Sequence, residues 1–426
     1  MKNAPFKHLS VLFFASILAS TLSAQQPVRR CATVEYNKLK EQQNPALAEA
    51  RQHTNQLIKQ YMAEHASENT RSVITIPVVI HVLYNINLQN ISDAQILSQI
   101  DVLNRDYARL NSDTTLTPAA FHSVAANTGI QFCLATRNPN GGPTNGIERR
   151  QNTSVSTWSN NDEMKWYVTG GLDAWDRNKY LNIWVCTLAG TYLGYTQMPS
   201  VNSDSSLDGC VVTTRAFGDT QYVTTPFHLG RTTTHEVGHW LGLYHPWGDD
   251  GGTCPWNGGN DDFISDTPPQ ASETSGCPAF PVYDACSPNY PGIMFMNYMD
   301  YTDDACMNMF TQGQALRMNA TLATLRQTIL TSDGCTPVGI NEVNHETEIS
   351  VYPNPANNEL YVTSYMLYEK SAVEICDVFG QRVFQLQTSN LKPQTAINIS
   401  SLAEGTYFLK ITSPRSVRAT RFTIAR

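Results

Sequence analysis

The segment HEVGHWLGLYH, from His235 to His245, restricts the fold and chemistry of this chain more than any other feature. His235 and His239 are four residues apart, so on a helix their side chains lie on one face and can bind one metal ion. Gly242 allows a sharp turn after that helix, which brings His245 toward the same point. The segment therefore predicts a helix, a turn and three histidine ligands around one zinc ion.

Three histidines leave the fourth tetrahedral position of zinc open for water, which is the arrangement of a catalytic site. Zinc lowers the pKa of such a water from about 15.7 to about 7, and Glu236 is predicted to accept its proton and pass it to the departing amine. A structural zinc usually has four protein ligands, often cysteines. A chance match of five fixed residues has a probability on the order of 10⁻⁵. The motif thus predicts a zinc-dependent peptidase.

The first part of the chain has the pattern of an exported precursor. Residues 1–24 begin with lysines, continue through an apolar stretch and end in small residues, as a cleaved signal peptide does. A membrane anchor is the alternative, but the apolar stretch is shorter than the ~20 residues that a span needs. Residues 25–70 are polar and poor in large apolar side chains, so they are predicted to form a pro-segment with helical pieces.

Charge and cysteine content agree with an extracellular location. The net charge is -8 and no basic tract is present, so no nucleic-acid partner is expected. Export permits disulfides. Four cysteines follow the zinc motif and are expected to cross-link a loop-rich region through disulfides. Three pairings are possible for Cys254, Cys277, Cys286 and Cys306. The sequence leaves open the state of Cys133, Cys186, Cys210, Cys335 and Cys376.

The middle of the chain has the pattern of an α+β fold. Residues 75–84, TIPVVIHVLY, form a β-branched run suited to a strand buried on both faces. Ser92 provides an N-cap with Gln95 three residues later, and apolar residues follow at helical spacing as far as Leu110. Further elements are predicted as strands at 129–136, 180–188 and 210–217 and as the zinc helix at 231–241. We therefore expect a mixed sheet with helices packed against it.

The last part of the chain is predicted to be a separate module. Residues 333–347 form a linker rich in Gly, Pro and Asn, and residues 348–426 consist of short alternating segments between turn residues. Strands are predicted at 351–355, 359–363, 372–378, 381–387, 395–399 and 406–411. This pattern predicts a small β-sandwich, and the module has no cluster of catalytic residue types.

The zinc motif is followed by NYMDY, residues 297–301, and the two segments resemble the zinc signature and Met-turn of the metzincin metalloproteases. TIPVVIHVLY, LGYTQMPS, the DTPPQ after Asp262 and NYMDYTDDACMN resemble the pappalysin family of metzincins over about residues 71–326. The resemblance implies a two-lobed catalytic domain at residues 71–332 and a secreted endopeptidase whose substrate lies extended across a cleft.

The resemblance also implies roles for individual residues. Met299 would form the floor beneath the zinc, and Tyr301 would reach toward the metal or the tetrahedral intermediate. Ordinary core packing is the alternative for Tyr301. Family cysteines pair first with third and second with fourth, which implies the disulfides Cys254–Cys286 and Cys277–Cys306.

A second metal is implied by GNDDFISDT, residues 259–267, which resembles the calcium-binding stretch of these enzymes. The candidate ligands are the side chains of Asp261, Asp262 and Asp266 and the carbonyl of Thr267. Calcium requires several oxygen ligands, which this loop contains, but a solvated acidic turn has the same composition.

The pro-segment contains RCAT, residues 30–33, which resembles the RCGT motif that places a latency cysteine on the zinc of bacterial relatives. Alanine replaces the glycine here. The resemblance implies that Cys31 binds the zinc of a zymogen until a cut near Arg71 and Ser72 removes the segment, since thiolate is a strong zinc ligand. A disulfide of Cys31 is the alternative.

Met307 differs from the corresponding residue in the relatives that cleave proteins before Arg or Lys. They carry an aspartate directly after the last disulfide cysteine, where it pairs with a substrate Arg or Lys, and this chain has Met307. A neutral, polarisable pocket wall suits an apolar or mixed side chain on the carboxyl side of the cut.

The C-terminal module resembles the type A sorting domain of the type IX secretion system of Bacteroidota, through VYPNP near its start and GTY with Lys410 near its end. The resemblance implies the type IX machinery as a partner and release or attachment at the bacterial surface. The alternative function is a non-enzymatic surface-binding protein, an adhesin that retains a protease-like domain. Such a protein is expected to have lost a zinc ligand or the base, and here all four residues are present.

Overall fold

The computed structural model describes residues 31–66, 73–220, 222–257, 261–338, 349–363, 371–387, 394–412 and 417–426. The chain divides into two compact units, Met1–Gly339 and Ile340–Arg426. The predicted signal peptide, the junction of Arg71 with Ser72 and most of the predicted linker lie outside the described residues.

The first unit is built on a six-stranded sheet. Its strands are β1 (Ile74–Tyr84), β2 (Ile130–Leu134), β3 (Ile147–Gln151), β4 (Leu181–Cys186), β5 (Gly194–Thr196) and β6 (Cys210–Thr213). The order is β2-β1-β4-β6-β5, with β3 paired to the second half of β1. All pairs are parallel except β5 with β6, so the predicted mixed sheet is confirmed and β5 lies at its edge.

Within its described residues, the same unit has five α-helices. They are α1 (Thr33–Gln43), α2 (Ala46–Glu64), α3 (Asp93–Tyr107), α4 (Arg231–Trp240) and α5 (Gln312–Leu325). Ser92 caps α3 as predicted, because its Oγ accepts a hydrogen bond from the backbone N–H of Gln95 at 3.1 Å. The extension of the helical pattern to Leu110 was wrong, since Arg109 adopts a φ of 54° and ends the helix, and Leu110 is exposed.

The main core fills the space between one sheet face and the helices. Val237 and Trp240 of α4 pack there with Ile183 and Val185 of β4 and with Leu103 of α3. Strand residues on the opposite face, such as Trp184, belong to a second apolar cluster. Helix α4 is therefore held beneath the sheet edge by burial of its apolar side chains.

Three disulfides lie within the described residues of this unit. Cys254 bonds to Cys286 and Cys277 to Cys306, which are the pairings implied by the family resemblance. A third bond joins Cys133 of β2 to Cys335, whose state the sequence left open. The free thiols belong to Cys31, Cys186, Cys210 and Cys376.

The second unit contains two antiparallel sheets. Its strands are β7 (Ser350–Tyr352), β8 (Glu359–Thr363), β9 (Ala372–Cys376), β10 (Arg382–Gln387), β11 (Gln394–Asn398), β12 (Gly405–Thr412) and β13 (Val417–Ile424). One sheet has the order β10-β9-β12-β13 and the other β11-β8-β7. Side chains of both sheets form one core, which confirms the predicted sandwich, although β13 was missed. No helix in the described part of the chain has the length and apolar character of a membrane span.

Candidate metal centre

The three histidines of the motif converge on one point. His235 and His239 lie on α4, and their Nε2 atoms are 3.1 Å apart. Gly242 adopts a φ of +87°, which turns the chain back after the helix. The Nε2 atom of His245 consequently lies 3.1 Å from that of His239 and 3.2 Å from that of His235.

Backbone carbonyls fix the orientation of the first two rings. Nδ1 of His235 lies 2.8 Å from the carbonyl oxygen of Tyr298, and Nδ1 of His239 lies 2.8 Å from that of Leu243. A carbonyl oxygen only accepts, so both rings donate through Nδ1 and, when neutral, carry a lone pair on Nε2. Burial lowers the pKa of His239 to about 3, which keeps this ring neutral.

An aspartate fixes the third ring. Nδ1 of His245 lies 2.8 Å from Oδ1 of Asp249, and the ring stacks on Trp247 with centroids 4.4 Å apart. A carboxylate behind a ligand histidine orients the ring and increases its basicity toward a metal. The sequence interpretation missed Asp249, although its position four residues after His245 was an available signal.

The donor set fits zinc. With zinc–nitrogen bonds of about 2.0–2.1 Å, tetrahedral geometry places ligand nitrogens about 3.4 Å apart. The three Nε2 atoms are 3.1 to 3.2 Å apart. The sulfur of Cys31 completes a group of four buried ligand atoms that all lie within 4.8 Å of one another. Among the described residues, no other group of at least three His, Cys, Asp or Glu side chains converges in this way.

Glu236 lies beside the histidines and is fully enclosed. Its Oε2 accepts hydrogen bonds from Oγ1 of Thr196 at 2.8 Å and from Oγ1 of Thr33 at 3.1 Å. Burial raises the pKa of Glu236 to about 7. Gly194 of β5 makes room for this side chain, because a β-carbon there would lie 2.8 Å from its Cγ.

The segment 297–301 passes beneath and beside the histidines. Met299 is buried against Gly238 of α4. The ring of Tyr301 lies 5.0 Å from that of His245, and its hydroxyl donates to the carbonyl of Cys31 at 3.3 Å. The structure thus brings both Met-turn residues to the histidine cluster.

The start of the predicted pro-segment, residues 31–33, lies beside the free edge of β5. Cys31 forms a parallel bridge with Gly194 at the free edge of β5, and the N–H of Ala32 donates to the Gly194 carbonyl at 2.9 Å. Asn37 of α1 continues the contact by donating to the carbonyl of Thr196 at 2.9 Å. Burial, followed by the charge of Glu236, raises the pKa of the Cys31 thiol. A bound cation would favour the thiolate instead.

A buried ion pair supports the start of α4. Arg231 pairs with Asp106 of α3 at 2.9 Å and with Asp113 at 3.1 Å. Its guanidinium also donates to the hydroxyl of Tyr298, whose carbonyl orients His235. No sequence motif marked this network, because its members come from three distant segments.

The remaining predicted residues lie outside the histidine cluster. Met307 is buried in the main core. Its acidic neighbour Asp304 accepts hydrogen bonds from the backbone N–H groups of Leu229 and Arg231. This carboxylate therefore binds the N-terminus of α4, where a negative charge is favourable.

The acidic loop is already hydrogen-bonded within the protein. Asp262 is buried and accepts from Oγ1 of Thr267 at 2.7 Å, and burial raises the pKa of Asp262 to about 8. Asp266 accepts from Oγ1 of Thr311 at 2.6 Å, whereas Asp261 is exposed. The calcium site at this loop stays a prediction.

A mixed sheet, a histidine-bearing helix beneath its edge and a Met-turn under that helix define a metalloprotease of the metzincin class. Residues 170–323 match the family model described as Pregnancy-associated plasma protein-A, a group of metallopeptidases. Residues 350–425 match the model described as Secretion system C-terminal sorting domain. The predicted sorting module is thereby confirmed.

The relatives support the same assignment. An extracellular metalloprotease of Pyricularia oryzae is 34% identical over 274 residues, covering 62% of this chain and 82% of the relative. One from Arthroderma benhamiae is 31% identical over 317 residues, covering 72% and 88%. The chain belongs to the pappalysin-like Pregnancy-associated plasma protein-A family, and it is a secreted or surface-located metalloprotease.

Solved structures agree with the fold. Mature mirolysin of Tannerella forsythia, in complex with a cleaved peptide, is 48% identical, with a TM-score of 0.61 over 63% of this chain and 100% of that chain. A promirolysin variant from the same organism is 45% identical, with a TM-score of 0.65 over 71% of this chain and 97% of that chain. The adhesin alternative has no support in these comparisons.

Proposed function

We propose that this protein is a zinc-dependent endopeptidase made as a latent precursor, with His235, His239 and His245 as zinc ligands and Glu236 as the general base. One observation carries the proposal: three Nε2 lone pairs converge within 3.2 Å beside a buried carboxylate. Bound zinc supplies a Lewis acid for the scissile carbonyl and increases the acidity of water.

The protein groups around the metal have separate tasks in this proposal. Glu236 accepts a proton from water and returns it to the departing amine, while Thr196 holds its Oε2. Once the pro-segment is removed, the hydroxyl of Tyr301 loses the Cys31 carbonyl and can donate to the developing oxyanion. Met299 packs under α4 and keeps the ligand-bearing helix in place.

The substrate binds at the free edge of β5. The pro-segment already pairs there through Cys31 and Gly194, which supports this edge as a site for an extended peptide. The cleaved peptide in the mirolysin structure supports peptide binding in the same fold. Met307, which is buried in the main core, occupies the position where relatives that cleave before Arg or Lys carry an aspartate, so cleavage before apolar or mixed residues is proposed.

Latency follows from two contacts of the pro-segment. Cys31 Sγ lies within the ligand group of the three histidines, so it takes the position that water needs. Thr33 donates to the carboxylate of Glu236 at 3.1 Å and covers the proposed base. Release of the pro-segment, residues 25–70, would expose the metal and the base in one step.

The secretion module completes the proposal. Residues 350–425 supply the signal for the type IX machinery, which is the expected partner during export. A structural calcium at residues 261–267 is also proposed, on the carboxylate content of this loop.

The test of the proposed function is casein cleavage by the processed protein. We expect cleavage that a chelator abolishes, and a loss of about 10²- to 10⁴-fold in kcat for Glu236→Ala with zinc content unchanged. Glu273→Ala, which removes an exposed carboxylate of the same unit, is the matched control and is expected to retain activity. Equal activity of Glu236→Ala and the unmodified protein would exclude Glu236 as the base.

A further inference from the structure

Tyr36 of the pro-segment fills a pocket that lies outside the metal centre. The residue is fully buried, and its ring packs on Tyr195 of β5 with centroids 4.8 Å apart. Its hydroxyl donates to Oδ2 of Asp162 at 2.8 Å. Trp184 and Met164 belong to the same apolar cluster. Apart from Tyr36, these residues belong to the catalytic unit and remain after processing.

The floor of this pocket is charged and nearly inaccessible. Asp162 is 2% exposed and Lys165 is 0% exposed. Their side chains pair at 3.0 Å, and Lys165 also donates to the carbonyl of Leu207 at 2.8 Å. Although burial opposes it, Lys165 and Lys40 hold the pKa of Asp162 below its ordinary value, so the carboxylate is ionised.

Removal of the pro-segment leaves the floor with unused hydrogen-bonding capacity. Oδ2 of Asp162 loses both Tyr36 and Lys40, which lies 2.7 Å away. Lys165 and the hydroxyl of Tyr195 remain near Oδ1 at 3.0 and 3.3 Å. Removal of Tyr36 also opens the pocket to water, and a ligand that carries both an apolar ring and a hydrogen-bond donor can fill the space and restore the bond to Oδ2.

The pocket is reachable from the substrate strand. Tyr195 is the middle residue of β5, and Ala32, whose backbone N–H pairs with Gly194, packs in the same cluster as Tyr36 and Tyr195. An extended peptide that pairs with β5 in place of the pro-segment therefore passes beside this cluster, and its alternate side chains lie on the face of Tyr195.

We infer that this pocket is a substrate subsite of the processed enzyme that selects tyrosine through Asp162. The aromatic wall of Tyr195 and the ammonium of Lys165, 5.4 Å from the Tyr36 ring centre, favour an aromatic ring. The same ammonium disfavours a second cation in the depth of the pocket. The free carboxylate oxygen then distinguishes a phenol from a phenyl ring. The inference rests on the proposed function, since it requires a processed, active peptidase.

The test uses processed enzyme from the full chain and quenched-fluorescence peptides that differ at one position. Tyr, Phe, O-methyltyrosine, Arg and Ala are placed in turn at each position around the cut. At one position on the Tyr195 face, we expect kcat/KM for Tyr to exceed that for Phe by about tenfold. O-methyltyrosine, which keeps the ring but lacks the donor, is expected to be no better than Phe.

The variants assign the effect to the carboxylate. In Asp162→Asn the ratio of Tyr to Phe is expected to fall below about threefold, because the hydrogen bond to a charged acceptor is lost. Asp176→Asn, an exposed control, is expected to keep the ratio of the unmodified enzyme. The comparison with O-methyltyrosine needs no variant, so a folding failure of Asp162→Asn leaves the test intact.

Three results would overturn the inference. Equal rates for Tyr and Phe at every position remove the subsite while leaving the peptidase in place. A preference for Arg at the responsive position assigns the carboxylate to cations instead. Cleavage of none of the peptides refutes the proposed function itself.

Discussion

Each proposed zinc ligand has a second group that fixes the orientation of its ring. Carbonyls of Tyr298 and Leu243 orient two histidines, and the carboxylate of Asp249 orients His245. The convergence of the three histidines was predictable from the sequence, because their spacing is local. The orienting groups were mostly not, because a carbonyl carries no sequence signal and Tyr298 approaches His235 only after folding.

At this scale we predict the effect of Asp249→Asn. The amide cannot replace the charge behind His245, so zinc affinity is expected to fall 10- to 100-fold. Competition with a chromophoric chelator measures the change. Asp250→Asn is the matched control, because Asp250 accepts bonds from the backbone of Gly252 and Thr253. If both variants bind zinc equally tightly, the orienting role of Asp249 is wrong.

At the scale of elements, the short edge strand β5 contacts both Glu236, the proposed base, and the proposed pro-segment, and it is the proposed binding site for substrate. It has three residues, Gly194–Thr196. A strand of three residues is too short to show a pattern of alternating or continuous apolar residues. For this reason β1 and β4 were predicted from the sequence and β5 was missed. The strand β3, IERRQ, was missed for a related reason, since its polar residues form a strand only through pairing with β1.

At this scale we predict the effect of Cys31→Ala in the proposed pro-segment. Cys31→Ala removes the sulfur from the ligand group but leaves the contacts of Thr33 and Asn37, so faster autoactivation is expected. Gel analysis of purified precursor over time measures the rate. Cys376→Ala, which removes a free thiol from the second unit, is the control and is expected to behave as the unmodified protein. An unchanged time course for Cys31→Ala contradicts the cysteine switch.

At the scale of the whole molecule, catalysis and sorting belong to units with separate cores. Composition and turn spacing predicted the α+β fold of the first unit and the β-sandwich of the second. They did so because alternating apolar and polar residues, and runs of β-branched residues, indicate which side chains are buried. The bond between Cys133 and Cys335, which ties β2 to the end of the first unit, was not predictable. The two cysteines are 202 residues apart, and only the folded sheet brings them together.

Deletion of residues 340–426 tests this division. The first unit keeps its sheet, its disulfides and its metal centre, so the processed truncated protein is expected to cleave casein at a rate within about twofold of the full chain. Export through the type IX machinery is expected to be lost, with the protein retained inside the outer membrane. Cell fractionation measures the second effect, and undiminished export would contradict the sorting role.

X-ray absorption spectroscopy of the zinc-loaded precursor tests the central claim most directly. We predict one zinc per chain, bound by three nitrogens at about 2.0–2.1 Å and one sulfur at about 2.3 Å. After processing, the sulfur is expected to be replaced by oxygen while the three nitrogens remain. A precursor that binds no zinc, or a zinc shell with fewer than three nitrogens, would contradict the account.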